Sequence, residues 1–200
     1  QALSVCTPRF SSRAAYYMLH EVFRASSGKV RLYDPFCGNG VLLVTAFLLF
    51  PDRVKGLAGS DLDPAAVETA RRNMRWLRDA EAFGERLETI QAYKTRDQGL
   101  KDLFSQRCRR MYNKAQGIDL KVEVFEQDAC SVGEILAAVD DEVWVAADPP
   151  YGGEQWVGGQ DGYGPLEPFL RQVAAATNVP ALVLCYPLEQ SVMPLLQRYF

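Results

Sequence analysis

The sequence predicts an α/β fold: a doubly wound, mostly parallel sheet with a helical insertion between strands 2 and 3. Short apolar runs typical of buried strands alternate with longer segments of helical periodicity along the 200 residues. Acidic side chains follow the predicted strands, where open α/β sheets place their ligand sites. With 48% hydrophobic residues, a chain of this length can bury the core of one large domain. We therefore expect residues 1–200 to form a single domain.

The predicted elements follow one another in strict alternation after an N-terminal helical segment, residues 1–28, that contains an amphipathic helix at Ser11–Ala25. Five strands are predicted, at Val30–Tyr33, Lys55–Ser60, Lys121–Phe125, Val143–Ala147 and Ala181–Cys185. Helices are predicted between them, at Val41–Phe50, Pro64–Arg78, Ser131–Val139 and Pro165–Thr177. A last helix closes the chain. Pro64 suits a first helical turn, and Ser131 suits a helix cap.

The segment 79–120 is a polar, mostly helical insertion. Its stretch from Ser105 to Gln116 contains no acid and four cations, which are Arg107, Arg109, Arg110 and Lys114. Such a helix can contact RNA phosphates. Charge runs are also common on solvated helix faces, so both interpretations stay open.

Composition excludes several classes of protein. A net charge of −3 and a pI near 5.3 argue against a general polyanion binder. No run of about 18 apolar residues, the length that spans a membrane, occurs. The five cysteines are scattered and never spaced as CxxC, which predicts free thiols and a cytoplasmic location. His20 is the only histidine, so we expect no metal site and no His-based nucleophile. An oligomer is not required.

The stretch Asp148-Pro149-Pro150-Tyr151 directly follows the apolar run Val143–Ala147. A carboxylate at the tip of a parallel strand lies where such sheets bind ligands. The two prolines offer carbonyls without N–H groups, and their fixed φ makes a stiff acceptor surface. Together with the aromatic ring, these features predict a slot for a flat molecule that bears an –NH2 group. An ordinary turn is the alternative, because proline and aspartate are common turn residues.

The turn from Asp34 to Gly40 connects strand one to its helix. Its glycines, Gly38 and Gly40, allow a ligand to approach the backbone, and the helix start offers unpaired N–H groups. The acid at its head suits a cationic ligand, such as an ammonium or a sulfonium. The third glycine of the dinucleotide pattern is missing and no GxxxxGK[ST] occurs, so phosphate binding is not indicated.

Acids also follow strands two and three. The Asp61 carboxylate can accept hydrogen bonds from both hydroxyls of a ribose. Asp63 immediately precedes a proline and is well placed to cap the following helix. Asp128 can accept from an adenine amino group. Taken alone, each acid can equally well be a ligand-binding residue or an ordinary helix cap or solvated loop charge. One acid after each of the first four strands, however, favours S-adenosylmethionine, a nucleoside with a cationic tail. The predicted cofactor-binding residues are Asp34, Phe36, Gly38, Gly40, Asp61, Leu62, Asp128 and Ala129.

Three stretches, Asp34–Gly40, Asp61–Pro64 and Asp148–Tyr151, resemble the Rossmann-like S-adenosylmethionine-dependent methyltransferases that modify exocyclic amino nitrogens. From the first helix through strand five, the chain is similar to the avilamycin-resistance ribosomal RNA guanine methyltransferase group. That resemblance implies methylation of an exocyclic amino group of guanine in large-subunit ribosomal RNA. Sheets of such methyltransferases usually finish with an antiparallel pair, so we expect this chain to be part of a longer protein.

The implied chemistry assigns catalytic roles to Asp148, Pro149, Pro150 and Tyr151. Hydrogen bonds from the guanine amino group to the carboxylate and the first proline carbonyl would direct the nitrogen lone pair at the methyl group. The tyrosine would stack on the base. A glycine-rich loop, 152–164, is either a mobile connection or a cover for a flipped base. The predicted substrate-binding residues are Trp156, Tyr163, Arg107, Arg109, Arg110 and Lys114.

Two other functions stay open. A protein methyltransferase that acts on the side-chain amide of glutamine would recognise a similar planar –NH2 group. A non-catalytic methyltransferase-like module would bind RNA without transferring a methyl group. The basic insertion favours RNA over protein as substrate, and the stretch Asp148–Tyr151 favours catalysis.

Overall fold

The computed structural model describes residues 12–92, 98–150, 166–186 and 192–200. Its strands are β1 Val30–Asp34, β2 Val54–Asp61, β3 Lys121–Glu126, β4 Val143–Ala147 and β5 Leu182–Leu184. They form one sheet in the order β3-β2-β1-β4-β5, and every neighbouring pair is parallel. The chain reverses its direction of travel across the sheet between β1 and β4, and open α/β sheets bind their ligands at such a switch point.

Eight α-helices lie in the described residues: α1 Ser12–Ala25, α2 Val41–Leu49, α3 Pro64–Arg75, α4 Ala80–Ala92, α5 Gln98–Ala115, α6 Val132–Ala137, α7 Leu166–Ala175 and α8 Met193–Tyr199. None of these helices is long and apolar enough to cross a membrane. Side chains alternate between the two sheet faces, so Leu32 joins a core with α1, α2 and α3, while its neighbour Tyr33 joins a second core with α6, α7 and α8. The doubly wound parallel fold is therefore confirmed.

The insertion between β2 and β3 is helical, as predicted, and consists of α4 and α5. Aromatic rings join it to the end of α3. The rings of Phe83 and Tyr112 stack with centroids 3.9 Å apart and an interplanar angle of 5°, and the Trp76 ring centroid lies 5.8 Å from that of Phe83. Such contacts add to the burial of apolar surface that holds the insertion on the domain.

Some predicted helix ends and caps were wrong, and α6 ends at Ala137 rather than at Val139. Helix α3 ends at Arg75 and not at Arg78, because the Oδ1 atom of Asp79 accepts hydrogen bonds from the backbone N–H groups of Glu81 and Ala82 and so begins a new helix. Ser131 makes no side-chain capping bond. The extension of the sheet beyond β5 and the single-domain organisation stay predictions, and Ser11 lies outside the described residues.

Candidate active site

The acids predicted at the strand tips lie at one edge of the sheet. Asp34 and Asp61 are the last residues of β1 and β2, and Asp148 directly follows β4. The charges of Asp148 and Asp61 both raise the pKa of Asp34, so these three carboxyl groups lie close together. Asp128 follows β3, at the edge of the sheet, and is not among the groups that shift that pKa. The structure therefore brings three of the four acids into one cluster.

Asp34 is the most deeply buried of these acids, with 3% of its surface exposed. Burial raises its pKa well above the usual value, and the neighbouring acids Asp148 and Asp61 raise it further. Its Oδ1 atom accepts a hydrogen bond from the backbone N–H of Phe36 at 3.1 Å, which opposes the rise. A cluster of acids in a partly dry pocket favours a cationic ligand, because a positive charge would relieve their mutual repulsion.

The turn between β1 and α2 depends on glycine. Gly38 and Gly40 have φ angles of 49° and 77°, in the left-handed region that other residues avoid. Gly59 on β2 matters for a different reason: a Cβ atom there would lie 2.7 Å from Leu43 Cδ1 and 2.9 Å from Cys37 Cβ. The turn can therefore pack directly onto β2 only because Gly59 has no side chain. This role of Gly59 was not predicted from the sequence.

Asp61 connects that turn to β2. Its Oδ2 atom accepts from the backbone N–H of Gly38 at 2.8 Å, and its Oδ1 atom accepts from that of Asp63 at 3.0 Å. Both oxygens keep a further lone pair for a ligand hydroxyl. Leu62 next to it is 49% exposed. Asp63 caps α3 by accepting from Ala65 N–H, as predicted.

The other predicted cofactor residues have structural contacts of their own. The Phe36 ring packs edge-on against Phe169 of α7, with centroids 5.2 Å apart. The Oδ1 atom of Asp128 accepts from the backbone N–H of Cys130 at 2.8 Å. Asp128 therefore acts as a cap, which was the alternative to a ligand-binding role. Ala129 is buried. Cofactor binding by these residues stays a prediction.

Asp148 is half-buried beside a cysteine that was not predicted as a site residue. Cys185 follows β5, its backbone N–H donates to the carbonyl of Ala147 at 2.9 Å, and its thiol is hydrogen-bonded to the Asp148 carboxylate. Burial raises the pKa of Asp148 to about 6, which the thiol opposes. Burial and the charge of Asp148 raise the pKa of Cys185 to about 11. Pro149 is buried and Pro150 half-buried, whereas Tyr151 lies outside the described residues.

We expect the hydrogen bond from the Cys185 thiol to influence the pH at which activity falls on the acid side. In the wild type, the midpoint of this fall should lie near pH 6, where Asp148 loses its charge. Replacing Cys185 by Ser supplies a stronger donor and should move the midpoint to lower pH, whereas replacing it by Val removes the donor and should move the midpoint to higher pH. The measurement is kcat/KM against pH. Asp34 also faces Asp148, but it is present in all three proteins and therefore does not distinguish them. Equal midpoints in both variants would contradict this role.

The predicted substrate residues lie in different parts of the chain. Arg107, Arg109 and Arg110 are exposed on α5. Lys114 pairs with Asp52 at 3.3 Å, just before β2, and therefore lies towards the amino ends of the strands, away from the acids. The structure therefore does not bring Lys114 to the strand tips. Two further predicted residues lie outside the described residues: Trp156 and Tyr163. No group of three potential metal ligands occurs in the described part of the chain.

A family model described as "RRNA methyltransferase AviRa" matches residues 6–198. The chain belongs to this family. A curated relative in Streptomyces viridochromogenes, 23S rRNA (guanine(2535)-N(1))-methyltransferase, is 31% identical over 163 residues. The match covers 78% of this chain and 64% of the relative, so the chain spans less than two thirds of the length of that protein. The resemblance inferred from the sequence is thus confirmed.

Solved structures agree with the AviRa assignment. The rRNA methyltransferase aviRa from Streptomyces viridochromogenes, solved at 1.5 Å, has a TM-score of 0.67 and 28% identity over 90% of this chain and 75% of that chain. TrmN from Thermus thermophilus has a TM-score of 0.50 and 19% identity, covering 96% of this chain and 41% of that chain, and supports the fold alone. The predicted Rossmann-like methyltransferase fold is confirmed.

Proposed function

We propose that this AviRa-family chain carries the catalytic centre of an S-adenosylmethionine-dependent methyltransferase that acts on a guanine base of large-subunit ribosomal RNA. The observation that carries the proposal is the cluster of Asp34, Asp61 and Asp148 at the switch point of the sheet. The name of the curated relative supports the substrate class. Ribosomal RNA as the substrate implies that the protein acts in the cytoplasm.

The described residues fit the proposed cofactor. The charges of Asp148 and Asp61 raise the pKa of Asp34, so a cationic amino acid or sulfonium bound beside these acids would be attracted. Asp61 has lone pairs free for ribose hydroxyls, and the exposed Leu62 offers apolar surface to an adenine ring. Gly38 and Gly40, whose positive φ angles favour glycine, have no side chain that would obstruct the ligand. When bound, S-adenosylmethionine supplies a methyl group from a sulfonium centre.

The acceptor atom is proposed to be N1 of the guanine. The family resemblance implied the exocyclic amino group, but the name of the curated relative specifies the adjacent ring nitrogen, N(1). Both atoms lie on the same edge of the base, and both carry hydrogens. The Asp148 carboxylate and the Pro149 carbonyl, which were predicted to accept hydrogen bonds from the amino group, can therefore accept from this edge of the base whichever atom is methylated.

Methylation at N1 gives Asp148 a definite chemical task. The nitrogen must lose its hydrogen as the new bond to carbon forms, so a base within hydrogen-bond reach is needed. A carboxylate with a pKa of about 6 is ionised at neutral pH and accepts a proton better than an ordinary aspartate. Asp148 would take the proton from N1 and later release it to water. The Cys185 thiol orients this carboxylate.

Contacts with the RNA backbone are proposed for α5. Arg107, Arg109 and Arg110 are exposed there, and no ion pair of the described residues involves them. Phe104 on the same helix is 57% exposed, and an exposed aromatic ring can stack on an unpaired base. Trp156 and Tyr163 remain proposed contacts to the base itself.

We expect labelled methyl transfer to 23S rRNA when the protein is incubated with ribosomal subunits, or with naked rRNA, and methyl-labelled S-adenosylmethionine. RNA and protein are then separated, and the RNA nucleosides are compared with standards of N1- and N2-methylguanosine by chromatography and mass spectrometry. Label in N1-methylguanosine supports the proposal. Label in protein would support the glutamine alternative, and RNA binding without any label would support the non-catalytic module.

A further inference from the structure

A basic groove lies between α3 and the edge strand β3. Its volume is about 480 Å³, and its walls carry three exposed arginines, which are Arg71, Arg75 and Arg78. The floor is apolar and consists of Met74, Val122 and Val124. The groove is thus a concave surface with positive walls, in a chain whose net charge is −3.

The only acid that lines this groove in the described part of the chain is already engaged. Asp79 Oδ2 lies 3.0 Å from Arg75 Nε, and its Oδ1 atom accepts from the backbone N–H groups of Glu81 and Ala82 in the first turn of α4. The capping N–H of Ala82 and the arginine together lower the pKa of Asp79. Arg78 has no ion-pair partner among the described salt bridges. The groove therefore keeps a positive charge that can attract an anion from outside the protein.

The contacts of Arg71 decide which kind of partner fits. Its Nε and Nη2 atoms donate to the carbonyl of Val124 at 3.2 and 3.0 Å. A peptide strand added to β3 would need that edge carbonyl, so the guanidinium blocks this kind of protein docking. Guanidinium groups also match phosphate geometry, because they present several N–H donors in a fixed plane.

We propose that this groove binds the phosphodiester backbone of the RNA that flanks the target base. The inference rests on the proposed function, and it adds a second contact surface to the one on α5. Helix α3 begins at Pro64, beside the cofactor residues, and a rise of 1.5 Å per residue puts Arg71 roughly 10 Å farther along the domain. RNA that reaches the strand tips can continue along α3 into the groove, with riboses against the apolar floor.

The test is the double variant Arg75→Gln/Arg78→Gln, which keeps the contact of Arg71 with β3. We expect a rise of about 5- to 10-fold in the Kd for an rRNA fragment that contains the target, and a salt dependence that is shallower by about 1 in log–log slope. The Kd is measured by fluorescence anisotropy at several salt concentrations, so the result does not depend on catalysis. Affinity for S-adenosylmethionine, measured by calorimetry, should stay within twofold.

The matched control is Arg13→Gln/Arg24→Gln on α1. It removes the same charge from exposed positions on a helix that contacts β4 and β5, whereas α3 contacts β2 and β3. This control should bind RNA like the wild type. An unchanged Kd and slope in the groove variant would overturn the proposal and leave the groove to a protein partner, and an equal loss in the control would reduce it to a general charge effect. Wild type that binds RNA but transfers no methyl group would refute the proposed function alone.

Discussion

Replacing Asp148 by Asn should lower kcat for methyl transfer to ribosomal RNA by about 100- to 1,000-fold, the range found when one preorganised group at a reacting centre is removed. Asparagine keeps the size of the side chain, and its oxygen can still accept a hydrogen bond. It cannot take the N1 proton. Affinity for S-adenosylmethionine should change much less, because Asp34 and Asp61 are proposed to hold that ligand. The measurements are single-turnover transfer of labelled methyl and calorimetry with the cofactor.

The control for this variant lies at the opposite end of the same strand. Asp140 is exposed shortly before β4, and Asp140→Asn makes the same chemical change outside the acid cluster. This protein should transfer methyl groups at the wild-type rate. A wild-type kcat in Asp148→Asn, with the proteins equally folded by circular dichroism, would refute the proposed role of the carboxylate.

The strand-tip acids could be predicted from the sequence because each requires only local information: an apolar run followed by a carboxylate. Cys185 could not be predicted as a partner of Asp148, because its position depends on β5 pairing with β4 in a particular register. Gly59 was missed for a similar reason. The contacts that exclude a side chain there come from Cys37 and Leu43, which only the folded turn brings to β2.

Helix ends and caps were predicted less well, because several nearby residues compete for the same backbone groups. Asp79 begins α4 and so shortens the predicted helix before it. Asp128 caps the short turn before α6, whereas Ser131, which was predicted to cap the helix itself, makes no side-chain capping bond. Asp61 was predicted as a ligand for ribose, and the structure adds a bond to the N–H of Gly38 that makes it part of the turn. A polar side chain at a strand tip can thus serve the fold and a ligand together.

Replacing Asp34 by Asn should stabilise the protein without ligand and weaken cofactor binding. The carboxyl group is buried among other acids, whereas an amide carries no charge, can still accept from the N–H of Phe36 and can donate to a neighbouring carboxylate. A gain of about 0.5–2 kcal/mol in the free energy of unfolding is typical of a well-chosen stabilising change. Affinity for S-adenosylmethionine should fall about 10- to 100-fold, because a hydrogen bond to a charged group contributes about 1.5–3 kcal/mol.

The gain in stability should depend on pH. The pKa of Asp34 is higher in the folded protein than in the unfolded chain, so its contribution to stability is fully present below the unfolded value of about 3.9 and is lost as the pH rises through the folded value. The asparagine does not titrate. The difference in unfolding free energy between variant and wild type should therefore be larger at pH 8 than at pH 5, as measured by urea denaturation.

An exposed acid separates this effect from the loss of one negative charge. Asp119→Asn changes the net charge equally at an exposed position, and its stability should stay within about 0.5 kcal/mol of the wild type, as for most surface substitutions. A gain in Asp34→Asn that is the same at both pH values would show that burial of the charge is not its cause. Undiminished cofactor affinity in that variant would remove Asp34 from the proposed binding site. Lower affinity together with higher stability would show that the acid is costly to the fold and useful to the ligand.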